Sequence, residues 1–216
     1  CAELCSLTSR ESHIRGNEPS QRRTTDRAVR SCEGHVAVIC HVTHGRINPM
    51  PAHIDETQHY DADPTTVFAM LRNEEFIVYK CQQSASLEAT ADVTDEGDTV
   101  LIHNRRVLPA KVPGFVKRFL GDTITLDETQ HWSAPDEHAE RTAEFSVNFD
   151  GQPLAFGGTI DITPHGTGTA VRTKGVLKCS VPFIGGKVEN FAAEWIGKYL
   201  NKEQRVGQQW LAEGSG

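Results

Sequence analysis

From residue 54 onward, apolar and polar positions repeat with two different periods, and each change of period marks an element. Ile54 to Tyr60 alternates and reads as a strand. Asp63-Pro64 then opens a helix, with Asp as the cap and Pro at the first helical position. Val67, Phe68 and Leu71 follow at helical spacing, and Phe76, Ile77 and Tyr79 point to a second short helix. After Ser86 the period becomes two. Leu87, Ala89, Ala91 and Val93 alternate with polar residues up to a turn at Asp95-Glu96-Gly97-Asp98, and Val100 to Val107 returns. Ile124 to Trp132, Phe145 to Phe149, Leu154 to Ile162 and Val171 to Val181 read as further strands, separated by short turns at Ser133-Ala134-Pro135-Asp136, Asp150-Gly151 and Pro164-His165-Gly166. Consecutive strands joined this way form an antiparallel meander.

A Pro-Phe-Ile-Gly-Gly break (Pro182 to Gly186) ends the strands and releases an amphipathic helix from Lys187 to about Ala212. Val188, Phe191, Ala192, Trp195, Ile196 and Tyr199 form its apolar stripe. At 1.5 Å per residue it is roughly 39 Å long, enough to lie across a small sheet. The expected fold class is therefore α+β, a curved antiparallel sheet gripping one long terminal helix. Small residues fall on the inward face at Ala89, Ala91, Gly158 and Gly175, opposite the bulky Phe191 and Trp195. Such positions either let chain segments approach closely or leave a hollow, and a sheet bent around a helix favours curvature with a cavity.

Residues 1–49 differ from everything downstream. They contain no Phe, Tyr, Trp, Met or Lys, and their seven arginines against five acids leave a charge of -9 for the rest of a chain whose total is -7. With little to bury, this segment is expected to be disordered, and to be an over-extended reading frame or an expression remnant with the natural start at Met50. The organisation expected is thus residues 1–49 as a non-native or disordered extension and 50–213 as one domain. Within the extension, Cys32, His35, Cys40 and His44 have spacings a zinc knuckle could use, but such spacings arise by chance and no apolar residues pack around them, so no metal is assigned.

The net negative charge argues against nucleic acid as a partner. No run approaches the ~18 apolar residues of a membrane span, so integral membrane association is not expected. Six cysteines are too sparse for a disulfide scaffold, and a cytoplasmic protein is expected. No phosphate loop, nucleophile elbow or paired metal-ligand motif occurs in the body, so neither cofactor nor catalysis is assigned.

The order strand, helix pair, six-strand meander, long helix resembles the helix-grip fold of the START-like (SRPBCC) superfamily, and within it an actinobacterial family of domains of unknown function. The resemblance rests on Tyr60-Asp61-Ala62-Asp63-Pro64 with Val67-Phe68, Val112-Pro113-Gly114-Phe115-Val116, Phe156-Gly157-Gly158-Thr159-Ile160 and Val181-Pro182-Phe183-Ile184-Gly185-Gly186-Lys187-Val188-Glu189. It covers Met50 to about Glu213 and implies a fold without an established activity. It also implies that the segment from Pro109 to Gly121 can cover a cavity mouth, as an apolar lid of Phe115, Val116, Phe119 and Leu120 whose interleaved Lys111, Lys117 and Arg118 could meet an acidic headgroup or carboxylate; a short surface helix burying the two phenylalanines is the other reading.

The expected function is binding of a small apolar molecule (lipid, polyketide or aromatic metabolite) by a carrier or sensor. The residues expected around it are Phe115, Phe119, Phe156, Gly158, Phe183, Phe191, Trp195 and Tyr199. The alternatives are a cyclase- or dehydratase-type enzyme and an interaction module with a filled core. Should catalysis occur, Glu128, Arg106 and Gln130 are the nominees, because they fall in phase with Leu126, Trp132 and Ile102 and so point inward. A carboxylate buried there would have a raised pKa suited to proton transfer; a structural Glu128–Arg106 pair is the other possibility. Glu56 and Gln58 share the phase of Ile54 and Tyr60, His59, His103 and His131 fall on the outer face, and Cys81 and Cys179 read as small buried hydrophobes. The oligomeric state is left open.

Overall fold

The computed structural model describes residues 51–114, 117 and 121–214. The expectations for residues 1–49, the Cys32, His35, Cys40 and His44 pattern, and the side chains of Phe115 and Phe119 lie outside the described residues. Seven strands form one sheet: β1 (Ala52–Tyr60), β2 (Glu88–Glu96), β3 (Thr99–Pro109), β4 (Thr123–Trp132), β5 (Arg141–Phe149), β6 (Leu154–His165) and β7 (Gly168–Cys179). Their spatial order is β1-β7-β6-β5-β4-β3-β2, and every pairing is antiparallel. β7 starts three residues before the expected Val171, because Gly166, at φ 60°, turns the chain just ahead of Gly168, and it ends at Cys179 rather than Val181.

Two short helices follow β1. α1 (Pro64–Leu71) is capped by Asp63, whose carboxylate accepts from Thr66 N at 3.0 Å, and α2 (Glu74–Gln83) is capped by Asn73, which accepts from Phe76 N at 2.9 Å. The terminal helix α3 runs Gly185–Glu213, 29 residues and about 43 Å. It lies along β1 and β7 and meets α2.

Two apolar clusters hold the helices to the sheet. One gathers Tyr60, Phe68, Phe76, Ile102, Trp132 and Val206 around α1, α2 and the second half of α3. The other gathers Ile54, Leu108, Leu126, Phe156, Leu177, Val188 and Ile196 beneath its first half. Fully burying a side chain such as Phe76 contributes about 1.5–3 kcal/mol.

Between the clusters runs a belt of polar residues. On three strands the inward series is apolar at both ends and polar in the middle, with Gln58 on β1, Asn104 and Arg106 on β3, and Glu128 and Gln130 on β4; Thr173 on β7 joins them. Lys80 on α2 and Tyr199 and Glu203 on α3 complete it from the opposite side.

The inward glycines mainly permit close approach. Gly158 faces Gly175 across β6 and β7, and a Cβ on Gly158 would stand 1.9 Å from the Lys174 carbonyl oxygen. A Cβ on Gly175 would meet the Phe156 ring at 2.4 Å, so that glycine admits the ring, which in turn packs edge-on against Phe145 at 4.9 Å. The hollow space lies elsewhere.

Candidate functional site

Two internal chambers share Leu126, Phe149 and Trp195 as lining residues. The first, about 80 Å³, has an apolar wall of Trp132, Phe145, Phe156, Val171 and Ile196 and the polar belt as its other wall. The second, about 110 Å³, lies under the start of α3 among Leu108, Val112, Ile124, Leu154, Val188 and Phe191. Each is of the order of the ~150 Å³ apolar cavities that take up a single aromatic ring.

In the belt, Arg106 is the hub. It is 6% exposed, its Nη1 donates to the Tyr199 hydroxyl at 2.5 Å, and its Nη2 lies 3.5 Å from Glu128 Oε2. Its guanidinium also stands over the Tyr199 ring, 4.5 Å from the centroid. Gln130 Nε2 donates to Glu128 Oε1 at 2.6 Å, and Trp132 Nε1 donates to Gln130 Oε1 at 2.8 Å. Lys80 Nζ pairs with Glu203 Oε2 at 3.0 Å, both side chains 9% exposed. Gln58 Nε2 donates to the Leu200 carbonyl, which ties β1 to α3. The thiol of Cys81 sits 3.8 Å from Arg106 Nη1.

The electrostatics of this belt reverse one expectation. Burial opposes the charge on Glu128, but the neighbouring Arg106 and Lys80 more than offset it, and its pKa is lowered. Glu128 is therefore an ionised partner of Arg106 rather than a carboxyl poised for proton transfer. Burial likewise opposes the charge on Lys80, yet Glu203 and Glu128 raise its pKa; for Arg106, Tyr199 and Glu128 do the same. Burial pushes the Tyr199 phenol well up, against the pull of Arg106.

A pH dependence follows. A carboxylate with a lowered folded-state pKa contributes stability that is present above its unfolded value, here near 4.5, and is lost as pH falls through the lower folded value. The melting temperature should fall below about pH 4.5. Glu128→Gln should flatten that part of the acid limb, as thermal scans of both proteins across pH 3 to 7 would show; parallel limbs would exclude the assignment.

Of the residues singled out by sequence, Arg106, Glu128, Gln130, Phe156, Trp195 and Tyr199 all line the first chamber, and Phe191 and Trp195 line the second. Trp195 stacks on Tyr199 at 5.9 Å between centroids. Two placements correct the expectation. Gly158 lines neither chamber, because it is pressed against the β7 backbone. Phe183 is fully exposed: the turn that launches α3 holds it at φ 66° with its ring in solvent. His59, His103 and His131 lie on the exposed face, as their phase implied.

Lys80, Glu203 and Asn104 complete the belt and escaped the strand-phase reading. Helical phase carries the signal for the first two: Lys80 follows Phe76 by four residues, and Glu203 follows Tyr199 by four. Among the described residues no group of three or more His, Cys, Asp or Glu side chains could hold a metal ion, and no helix is long and apolar enough to cross a membrane.

A seven-stranded antiparallel sheet packed on one long terminal helix, with internal space between them, is a helix-grip fold. The model of a family described as "Protein of unknown function (DUF2505)" matches residues 55–211, and the chain belongs to that family. A relative, the uncharacterised protein Rv0481c of Mycobacterium tuberculosis, is 22% identical over 128 residues, which span 58% of this chain and 73% of the relative. Among solved structures, TTHA0849 from Thermus thermophilus is similar with a TM-score of 0.55 at 16% identity, covering 76% of this chain and all of that one. The Zhui aromatase/cyclase from Streptomyces sp. R1128 is similar with a TM-score of 0.50 at 10% identity, covering 77% of this chain and 96% of that one. At such identities these likenesses establish the fold alone.

Proposed function

We propose that the protein binds a small, mainly apolar molecule between sheet and terminal helix, as a carrier or sensor. The observation that carries this reading is the apolar chamber under Phe191 and Trp195, which shares a wall with a second chamber bordered by a polar belt. Apolar space lined at one side by a few convergent polar groups is an arrangement that ligand sites commonly use. The chambers weigh against an interaction module with a filled core. A cyclase- or dehydratase-type reaction would call for a group that exchanges protons near neutrality, whereas Glu128 is held anionic and Arg106 cationic, so binding is the stronger reading. A cytoplasmic setting is part of this reading; Cys81 and Cys179 form no disulfide among the described residues.

Native mass spectrometry of the protein purified from cells should show an added mass that is released on denaturation. The reading fails if no added mass is found and the purified protein also leaves the fluorescence of Nile red, an uncharged apolar dye, unchanged.

A further inference from the structure

The belt's charges reveal which ligands it can accept. The ionised side chains lining the polar chamber are two cations, Lys80 and Arg106, and two anions, Glu128 and Glu203. They are already matched: Lys80 with Glu203 at 3.0 Å, and Arg106 with Glu128 at 3.5 Å. A ligand that brought its own charge would find no free counter-charge among the described residues lining the chamber and would lose its hydration, a cost that buried ions bear heavily. In the apolar chamber the one ionisable lining residue among the described residues, Lys111, is exposed, so its hydrated ammonium can meet a charged group only at the chamber mouth, away from the polar belt.

Hydrogen-bonding capacity is not matched in the same way. Arg106 Nε is buried without an acceptor among the described residues, although the guanidinium meets Tyr199, Glu128 and Cys81 through its other nitrogens. A buried donor left unpaired is a standing cost that one added oxygen nearby can relieve. The wall facing the belt is aromatic, with Phe145 and Phe156 edge-on and Trp195 stacked on Tyr199.

We infer that the ligand is uncharged, with an apolar or aromatic body and one oxygen (phenol, alcohol or ketone) that bonds to the Arg106 end of the polar belt. This rests on the binding function proposed above. It makes Glu128 a specificity-determining residue: by neutralising Arg106, it keeps carboxylates out.

Three single-ring probes of nearly equal shape separate the possibilities. Acetophenone carries a neutral oxygen, cumene none, and benzoate a negative charge. Titration calorimetry on the full chain at pH 7.5 should find acetophenone bound several-fold tighter than cumene, and benzoate about tenfold or more weaker than acetophenone. Glu128→Gln, which leaves Arg106 without its counter-charge, should invert the last order and favour benzoate. Cumene equal to acetophenone, or benzoate at least as tight as acetophenone in the unaltered protein, would overturn the inference while leaving a binding function in place. Failure of all three to bind would also overturn the inference, whereas the binding function itself stands or falls on the added mass in native mass spectrometry. Because the unaltered protein alone decides these outcomes, a Glu128→Gln variant that fails to fold would not protect the inference.

Discussion

Lys80→Met should cost about 3–5 kcal/mol of folding stability, the range for removing one partner of a buried ion pair. The ammonium meets Glu203 at 3.0 Å with both side chains 9% exposed, and it stands 5.9 Å from the centre of the Phe76 ring. Taking it away strands the Glu203 carboxylate between α2 and α3, beside the buried Tyr60 phenol, whose own pKa is pushed far up by burial and by that carboxylate. Replacing both partners, as Lys80→Met with Glu203→Leu, should restore most of the loss, because a well-packed apolar pair of similar volume often matches a buried ion pair. Urea denaturation of the single and double variants measures this, with an unchanged m-value as the check that unfolding remains two-state. A single-variant loss under about 1 kcal/mol would mean that water reaches the pair and the belt is not closed. Domains of ordinary stability hold some 5–15 kcal/mol in total, so the expected loss is a large fraction of the whole.

That two such pairs sit inside the fold explains why the belt was only partly legible in the sequence. On the strands, period-two phase is strict, and it placed Gln58, Arg106, Glu128 and Gln130 inward without reference to any neighbour. Their chemistry was not legible, because phase says nothing about partners. Glu128 alone against an apolar sheet would be a raised carboxyl, and it is the approach of Arg106 and Lys80 that lowers it. Lys80 and Glu203 lie on helices, where a charged residue inside an apolar stripe reads most simply as a snorkelling side chain at its edge. The glycines misled in a different way. Gly158 and Gly175 signalled that something comes close, but whether that is a ligand, a ring or a strand depends on register; here it is the β7 backbone for one and Phe156 for the other. Phe183, expected around the ligand, is instead held by the turn preceding α3 with its ring in solvent.

Leu126→Ala is the substitution expected to act on stability and on ligand capacity together. Leu126 is 2% exposed, pairs with Arg106 on β3 and Phe149 on β5, and lines both chambers. Truncation removes methyl groups from the shared wall, so the loss comprises their transfer free energy and a term for the enlarged void, about 2–5 kcal/mol in total. The cost should fall near the lower end if Phe149 and Trp195 relax inward, and near the upper end if the two chambers merge. The same merging would make room for a two-ring body where the native wall separates two single-ring spaces. Naphthalene should therefore bind the variant at least several-fold tighter than the unaltered protein and recover part of the lost stability by mass action. Denaturation midpoints with and without naphthalene read both effects at once. A small stability loss with no gain in naphthalene affinity would show that the wall collapses, and that the apolar and polar chambers act as separate spaces.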